Sequence, residues 1–160
     1  MAEDFSQYVD QIAELAAEHG LAIGAAESLT GGAITSALAQ GEGAADWCRG
    51  GVVAYMPAVK FDLLGVEPGP LISDACAAQM AAGAAKALEA DFVVSTTGAG
   101  GPGEEEGHPA GTAVIGMWAR GEQSTDWVKA EGDPAEVVES VRNMALERLL
   151  QAIRVAEQKA

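Results

Sequence analysis

Ser28 lies in the run Glu27-Ser28-Leu29-Thr30-Gly31-Gly32, between one short apolar stretch (Leu21, Ala22, Ile23, Ala25, Ala26) and another (Ala33, Ile34, Ala37, Leu38, Ala39). A small hydroxyl beside glycines, where a strand turns into a helix, can expose a nucleophile. It can also sit at an anion site, because the unpaired N–H groups of a helix start carry partial positive charge. The plainer reading is that Ser28 or Thr30 caps the helix. A second group of interest follows the apolar run Gly51-Val52-Val53-Ala54, in Tyr55-Met56-Pro57-Ala58-Val59-Lys60. Each of these residues is ordinary at a surface. With an exposed serine, however, they compose a Ser–Lys hydrolase set. A lysine with its pKa lowered by burial takes the serine proton, and the tyrosine relays or orients it.

These groups need elements that carry them to one place. Phe5, Tyr8, Ile12, Leu15 and Ala16 recur at helical spacing, with Gly20 as a stop. A first strand is expected at about 21–26, then a helix from the Ser28 turn to about Gln40. A second strand is expected at about 50–55 and a short helix around Val59–Leu64. Pro68-Gly69-Pro70 is a stiff connector, and Ser73 reads as the N-cap of an alanine-rich helix to about Glu89. A third strand (92–96), a fourth (112–119) and a fifth (to about 130) precede Asp133-Pro134. That pair reads as N-cap and first-turn proline of a final helix packing through Val137, Val138, Val141, Met144, Ala145, Leu149 and Ile153. Early helix–strand alternation followed by a late hairpin predicts a three-layer α/β/α sandwich with a mixed, mainly parallel sheet, one domain over residues 1–160.

Between the third and fourth strands, Gly98-Ala99-Gly100-Gly101-Pro102-Gly103 formally fits a dinucleotide fingerprint. The fit is rejected, because that fingerprint needs a helix opening on its glycines, and here Glu104, Glu105, Glu106, Gly107 and Pro109 follow. Successive glycines can instead converge their N–H groups on an anion as a nest, and a loop of this length is usually functional. Its strand-end position favours a site shared with Ser28. The alternative is a mobile surface loop with a solvated acidic tip, and the glutamate run itself reads as solvated.

The formal charge of −15, with nine basic residues and no basic run, argues against nucleic acid as a partner. No segment has the roughly 20 apolar residues of a membrane span, and Met1-Ala2-Glu3-Asp4 lacks the basic start of a leader. Cys48 and Cys76 are isolated thiols without metal-type spacing, so a reducing cytoplasmic setting is expected and each is read as a packed small residue.

Taken together, Ala26-Glu27-Ser28-Leu29-Thr30-Gly31-Gly32, Gly50-Gly51-Val52-Val53-Ala54-Tyr55 with Lys60 and Leu64-Gly65-Val66, and Thr97-Gly98-Ala99-Gly100-Gly101-Pro102 with Pro109-Ala110-Gly111-Thr112 resemble the CinA C-terminal domain family. These are nicotinamide-nucleotide amidohydrolases, also called nicotinamide mononucleotide deamidases. The resemblance covers nearly the whole chain in order and suggests a stand-alone form. It implies hydrolysis of the carboxamide of nicotinamide mononucleotide to nicotinic acid mononucleotide and ammonia, in pyridine-nucleotide salvage, with no metal or organic cofactor. It implies Ser28 as nucleophile, Lys60 as general base and Tyr55 as assisting hydroxyl. Thr30, Gly31 and Gly32 would contact substrate and supply oxyanion donors; Thr97, Gly98, Gly100, Gly101 and His108 would line the substrate site. A homodimer is expected from the family and the apolar helix faces. Gly132-Asp133-Pro134 stands where the family has Gly-Asp-Arg, an arginine suited to a substrate phosphate; His108, Arg49 or Arg142 could replace it. Two other readings stay open, an amidase for another small carboxamide and a nucleotide-binding module without turnover.

Overall fold

The computed structural model describes residues 4–159; Met1–Glu3, read above for a leader, lie outside the described residues. In chain order the elements are α1 (Ser6–His19), β1 (Ile23–Glu27), α2 (Ala33–Ala39), α3 (Ala44–Trp47), β2 (Cys48–Val53), α4 (Pro57–Leu64), α5 (Asp74–Leu88), β3 (Phe92–Gly98), β4 (Thr112–Ala119), β5 (Glu122–Lys129) and α6 (Pro134–Gln158). The sheet order is β2-β1-β3-β4-β5. β1 pairs in parallel with both β2 and β3, while β4 runs antiparallel to β3 and to β5. Four strands therefore share one direction, and the sheet is mixed and mainly parallel.

Alternation along the strands divides the core into two layers. Ile23 and Ala25 of β1, Phe92 and Val94 of β3 and Ile115 and Met117 of β4 pack with α1, α2 and α6. Ala26 and Val93 face the other way, onto Leu64 of α4 and Met80, Ala81 and Ala84 of α5. Helices thus cover both faces of the sheet, the three-layer α/β/α arrangement. Small side chains let α5 approach closely: a Cβ on Gly83 would meet the Leu64 carbonyl oxygen at 2.0 Å.

Local signals account for most boundaries. Gly20 closes α1 in the left-handed conformation (φ 62°). The Ser73 hydroxyl caps α5 by accepting from the Cys76 N–H. Asp133 opens α6 with a full capping box, its carboxylate on the Glu136 N–H and the Glu136 side chain on the Asp133 N–H. Several elements differ from expectation: β1 starts at Ile23 rather than about 21, β2 spans Cys48–Val53 rather than about 50–55, and β3 runs on to Gly98. Pro57 enters α4 at its first turn, where a missing N–H costs nothing, so that helix starts two residues before Val59. The four-residue α3 lies where only a loop was expected, with the Trp47 indole donating to the Glu42 carbonyl. The helix expected from Ser28 begins only at Ala33, after a turn through Gly31 and Gly32 (φ 59° and 109°). No described helix is long and apolar enough to cross a membrane.

The chain leaves β1 across one face through α2 and α3 to reach β2, then returns across the other face through α4 and α5 to reach β3 on the opposite side of β1. Where successive crossovers part to opposite faces, a crevice opens beyond the strand C-termini. Ser28, Ala54-Tyr55 and Ala99-Gly100 all emerge there.

Candidate active site at the strand ends

A cavity of about 370 Å³ occupies this crevice, and Ser28, Tyr55, Lys60, Thr97, Gly98, Gly100 and Gly101 all line it. Groups spread over three strand ends and one helix converge as expected. Ser28 follows the last residue of β1, its N–H bonded to the Thr96 carbonyl of the neighbouring strand at 3.1 Å. Only 7% of its surface is accessible, and its hydroxyl makes no hydrogen bond to any described residue. It is therefore not the cap of α2, whose N-cap is Gly32. Lys60 projects from the first turns of α4 and is 2% exposed, and its amine donates to the Tyr55 carbonyl at 3.1 Å. No hydrogen bond joins that amine directly to Ser28 among the described residues. Burial lowers the Lys60 pKa, while the neighbouring Cys76 thiol, Glu105 and Glu106 oppose that shift. Burial likewise raises the Cys76 thiol. Tyr55 reaches the cavity from the opposite regime: it is 71% exposed, and its backbone carbonyl, not its hydroxyl, holds the lysine.

Thr30, Gly31 and Gly32 do not line the cavity, and the Thr30 hydroxyl and the Gly31 and Gly32 N–H groups are engaged elsewhere. The Thr30 hydroxyl pairs with that of Thr96 at 2.9 Å, the Gly31 N–H closes a turn onto the Ser28 carbonyl, and the Gly32 N–H points to Glu27. Glu27 is the residue that sequence reasoning missed. Fully buried at the end of β1, it accepts from the N–H groups of Gly32, Ile34 and Thr35 and from the Thr35 hydroxyl at 2.6–3.2 Å. The positive end of α2 is thus filled by the protein's own carboxylate, and the Gly31 and Gly32 N–H groups, expected as oxyanion donors, are engaged within the protein. The signal was present: an acidic residue between an apolar strand and a glycine turn is placed for a helix N-terminus.

His108 also lies off the cavity. Its ring packs on Trp127 of β5 with centroids 5.4 Å apart, and its backbone pairs with Glu105. The other proposed substitutes for an arginine are equally distant in role. Arg49 donates to the Leu88 carbonyl and pairs with Glu89, and Arg142 stacks over Phe5. Glutamate 106, read as solvated, instead accepts from the Leu71 and Ile72 N–H groups at 2.7–3.0 Å and ties the glycine-rich loop to the 68–73 connector. Leu71 in turn accepts the Thr97 hydroxyl at 2.7 Å, so Thr97 supports the cavity wall. Leu29, Gly100 and Gly101 line the cavity, and their backbone N–H groups bond to no described residue. Among the described residues no group of three or more His, Cys, Asp or Glu could hold a metal ion.

A three-layer α/β domain with a buried serine and lysine at the strand-order switch is the class that fold and cleft define. Within that class, the chain belongs to the CinA C-terminal domain family, whose model matches residues 6–153. It is 38% identical over 122 residues to a competence-damage inducible protein of Pediococcus pentosaceus, covering 73% of this chain and 30% of that protein. A CinA-like protein of Shewanella baltica is 33% identical over 147 residues, covering 88% of this chain and 35% of the relative. The chain thus spans about a third of the length of these relatives. The crystal structure of a competence or damage-inducible protein from Enterobacter asburiae superposes with a TM-score of 0.91 at 29% identity, over 94% of this chain and 99% of that one.

Proposed function

We propose that this chain is a serine amidohydrolase that cleaves the carboxamide of nicotinamide mononucleotide. The observation that carries the reading is an unpartnered, nearly buried Ser28 hydroxyl sharing one cavity with a buried Lys60 whose burial favours the neutral amine. In the reaction Lys60 accepts the Ser28 proton as the oxygen attacks the amide carbon. The resulting oxyanion is held by the free N–H groups of Leu29, Gly100 and Gly101. Lys60 returns the proton to the amide nitrogen, ammonia leaves, and water, deprotonated by the same amine, releases the carboxylate product from the acyl-enzyme. Tyr55 guards the mouth and fixes the amine through its carbonyl. The family implies the nicotinamide ring, while a serine hydroxyl and a buried amine lining one cavity support acyl transfer in general.

Ammonia release from nicotinamide mononucleotide, followed with purified protein and no added metal, tests the reading. Ser28→Ala is expected to lower kcat by at least about a thousandfold, and Lys60→Ala by about a hundredfold or more. Undiminished turnover in Ser28→Ala would remove the mechanism.

A further inference from the structure

Neither Thr30 nor Thr96 lines the cavity, yet together they hold the two residues that line it at the end of β1, Ser28 and Leu29. Thr96 is the parallel partner of Glu27 in the sheet. Its carbonyl accepts from the Ser28 N–H at 3.1 Å, and its hydroxyl pairs with the Thr30 hydroxyl at 2.9 Å. One residue of β3 thus grips the chain on both sides of Leu29, whose N–H bonds to no described residue. Both threonines are buried. Past the grip the chain enters Gly31 and Gly32, at φ 59° and 109°, a stretch whose residue type leaves the backbone permissive.

Valine at either position would keep the shape and bury no hydroxyl. A neutral bond between buried hydroxyls adds little net stability, because both give up water to make it. What the pair supplies is direction. The Thr30 hydroxyl was one of two expected to cap α2, and it turns instead onto the neighbouring strand. We infer that Thr30 and Thr96 are positioning residues, a hydroxyl clamp that fixes the Ser28 hydroxyl and the Leu29 N–H as attack and oxyanion binding require. The inference rests on the amidohydrolase reading for the reaction it serves, and on the clamp's own geometry for the residues it names. Because the clamp does not line the cavity, its loss slows the chemical step and leaves substrate binding nearly intact. A misplacement of about 1 Å at the reacting atoms can cost about a hundredfold in rate.

The test measures ammonia release from nicotinamide mononucleotide by Thr30→Val, Thr96→Val, their double variant and Thr30→Ser. Ser95→Ala is the structural control: Ser95 is also buried on β3, but its hydroxyl donates to the Ala77 carbonyl on the opposite face of the sheet. Each single valine variant is expected to lower kcat by about tenfold to a hundredfold, with KM within about twofold of the parent. The double variant should lose about as much as one single, because the same bond is broken once. It also strands no hydroxyl, so it reports on the clamp even where a single variant fails to fold. Thr30→Ser restores the hydroxyl and should keep kcat within about threefold, and Ser95→Ala should lower the thermal midpoint but kcat by no more than about twofold. Labelling by a fluorophosphonate, in which the Ser28 oxygen displaces fluoride as Lys60 takes its proton, reads the same clamp without an amide and should slow in parallel with kcat. Valine variants that keep both rates, losses that add in the double variant, a Thr30→Ser loss as large as that of valine, or a Ser95→Ala loss of kcat to match overturn the inference and leave the amidohydrolase reading intact. Labelling that slows in the valine variants of a protein releasing no ammonia upholds the clamp and removes the reading. A parent whose Ser28 neither turns over nor labels removes both.

Discussion

Two glycine-rich turns leave the same edge of the sheet, and they put their backbone to opposite uses. At 28–32 the chain runs through Gly31 and Gly32 into α2, the arrangement that binds phosphate in many α/β folds. Here its N–H groups are saturated by Glu27 from within. At 98–111 no helix follows, yet Gly100 and Gly101 line the cavity and no described residue uses their N–H groups. The conventional anion site is closed and the unconventional one is open. A glycine pattern therefore specifies where backbone can bend, whereas what binds there is decided by which donors remain unspent.

The strongest way to break this comparison is to empty the closed turn. Glu27→Ala removes a buried acceptor of several charge-assisted hydrogen bonds and strands their donors. A loss of about 3–5 kcal/mol in unfolding free energy is expected, read from the midpoint of urea denaturation. A variant as stable as the parent would mean that the turn does not depend on its internal carboxylate. The matching change in the open loop is Glu106→Ala. That side chain is exposed and acts on two backbone N–H groups, so about 1–2 kcal/mol is expected, with a rise in KM as Leu71 and Ile72 loosen around the cavity.

This contrast also marks how far the residues alone could be read. Every strand, the five longer helices and the caps at Ser73 and Asp133 were legible, because each rests on periodicity or on a local hydrogen bond within a few residues. So was the convergence of Ser28, Tyr55, Lys60, Thr97 and the loop glycines, since strand ends beside a switch point are forced together. Partner choice across the fold was not legible. Thr30 turning to Thr96, His108 stacking on Trp127 and Glu106 reaching Leu71 are contacts between segments 19 to 66 positions apart, chosen by packing that no local pattern encodes. The α3 turn was missed because four residues carry too little periodicity to register.

A subtler probe sharpens the open side of the comparison through Lys60. A general base works only as the neutral amine, so turnover should rise with pH as Lys60 loses its proton. Burial places that rise below the ordinary lysine range. Glu105 opposes burial by favouring the ammonium form. Glu105→Gln removes that opposition, so the pKa falls further and the rising limb of the kcat profile moves to lower pH. A limb displaced to higher pH, or unmoved, would show that the titrating group is not this lysine.

The smallest expected effect separates two glycines of the same loop. Gly101 has φ 87°, and an added Cβ would sit 3.2 Å from that of Ala110. A side chain there meets both left-handed strain and a neighbour that must give way, so Gly101→Ala should cost about 1–2 kcal/mol. It should also reduce kcat if, as proposed, the same peptide holds the oxyanion. Gly103 lies two residues on, without a positive φ, and its Cβ would enter open space. Gly103→Ala should therefore leave stability within about 0.5 kcal/mol. Both positions line the cavity, so equal losses of activity would point to crowding of the substrate, whereas a loss confined to Gly101 ties the reaction to the geometry of its backbone.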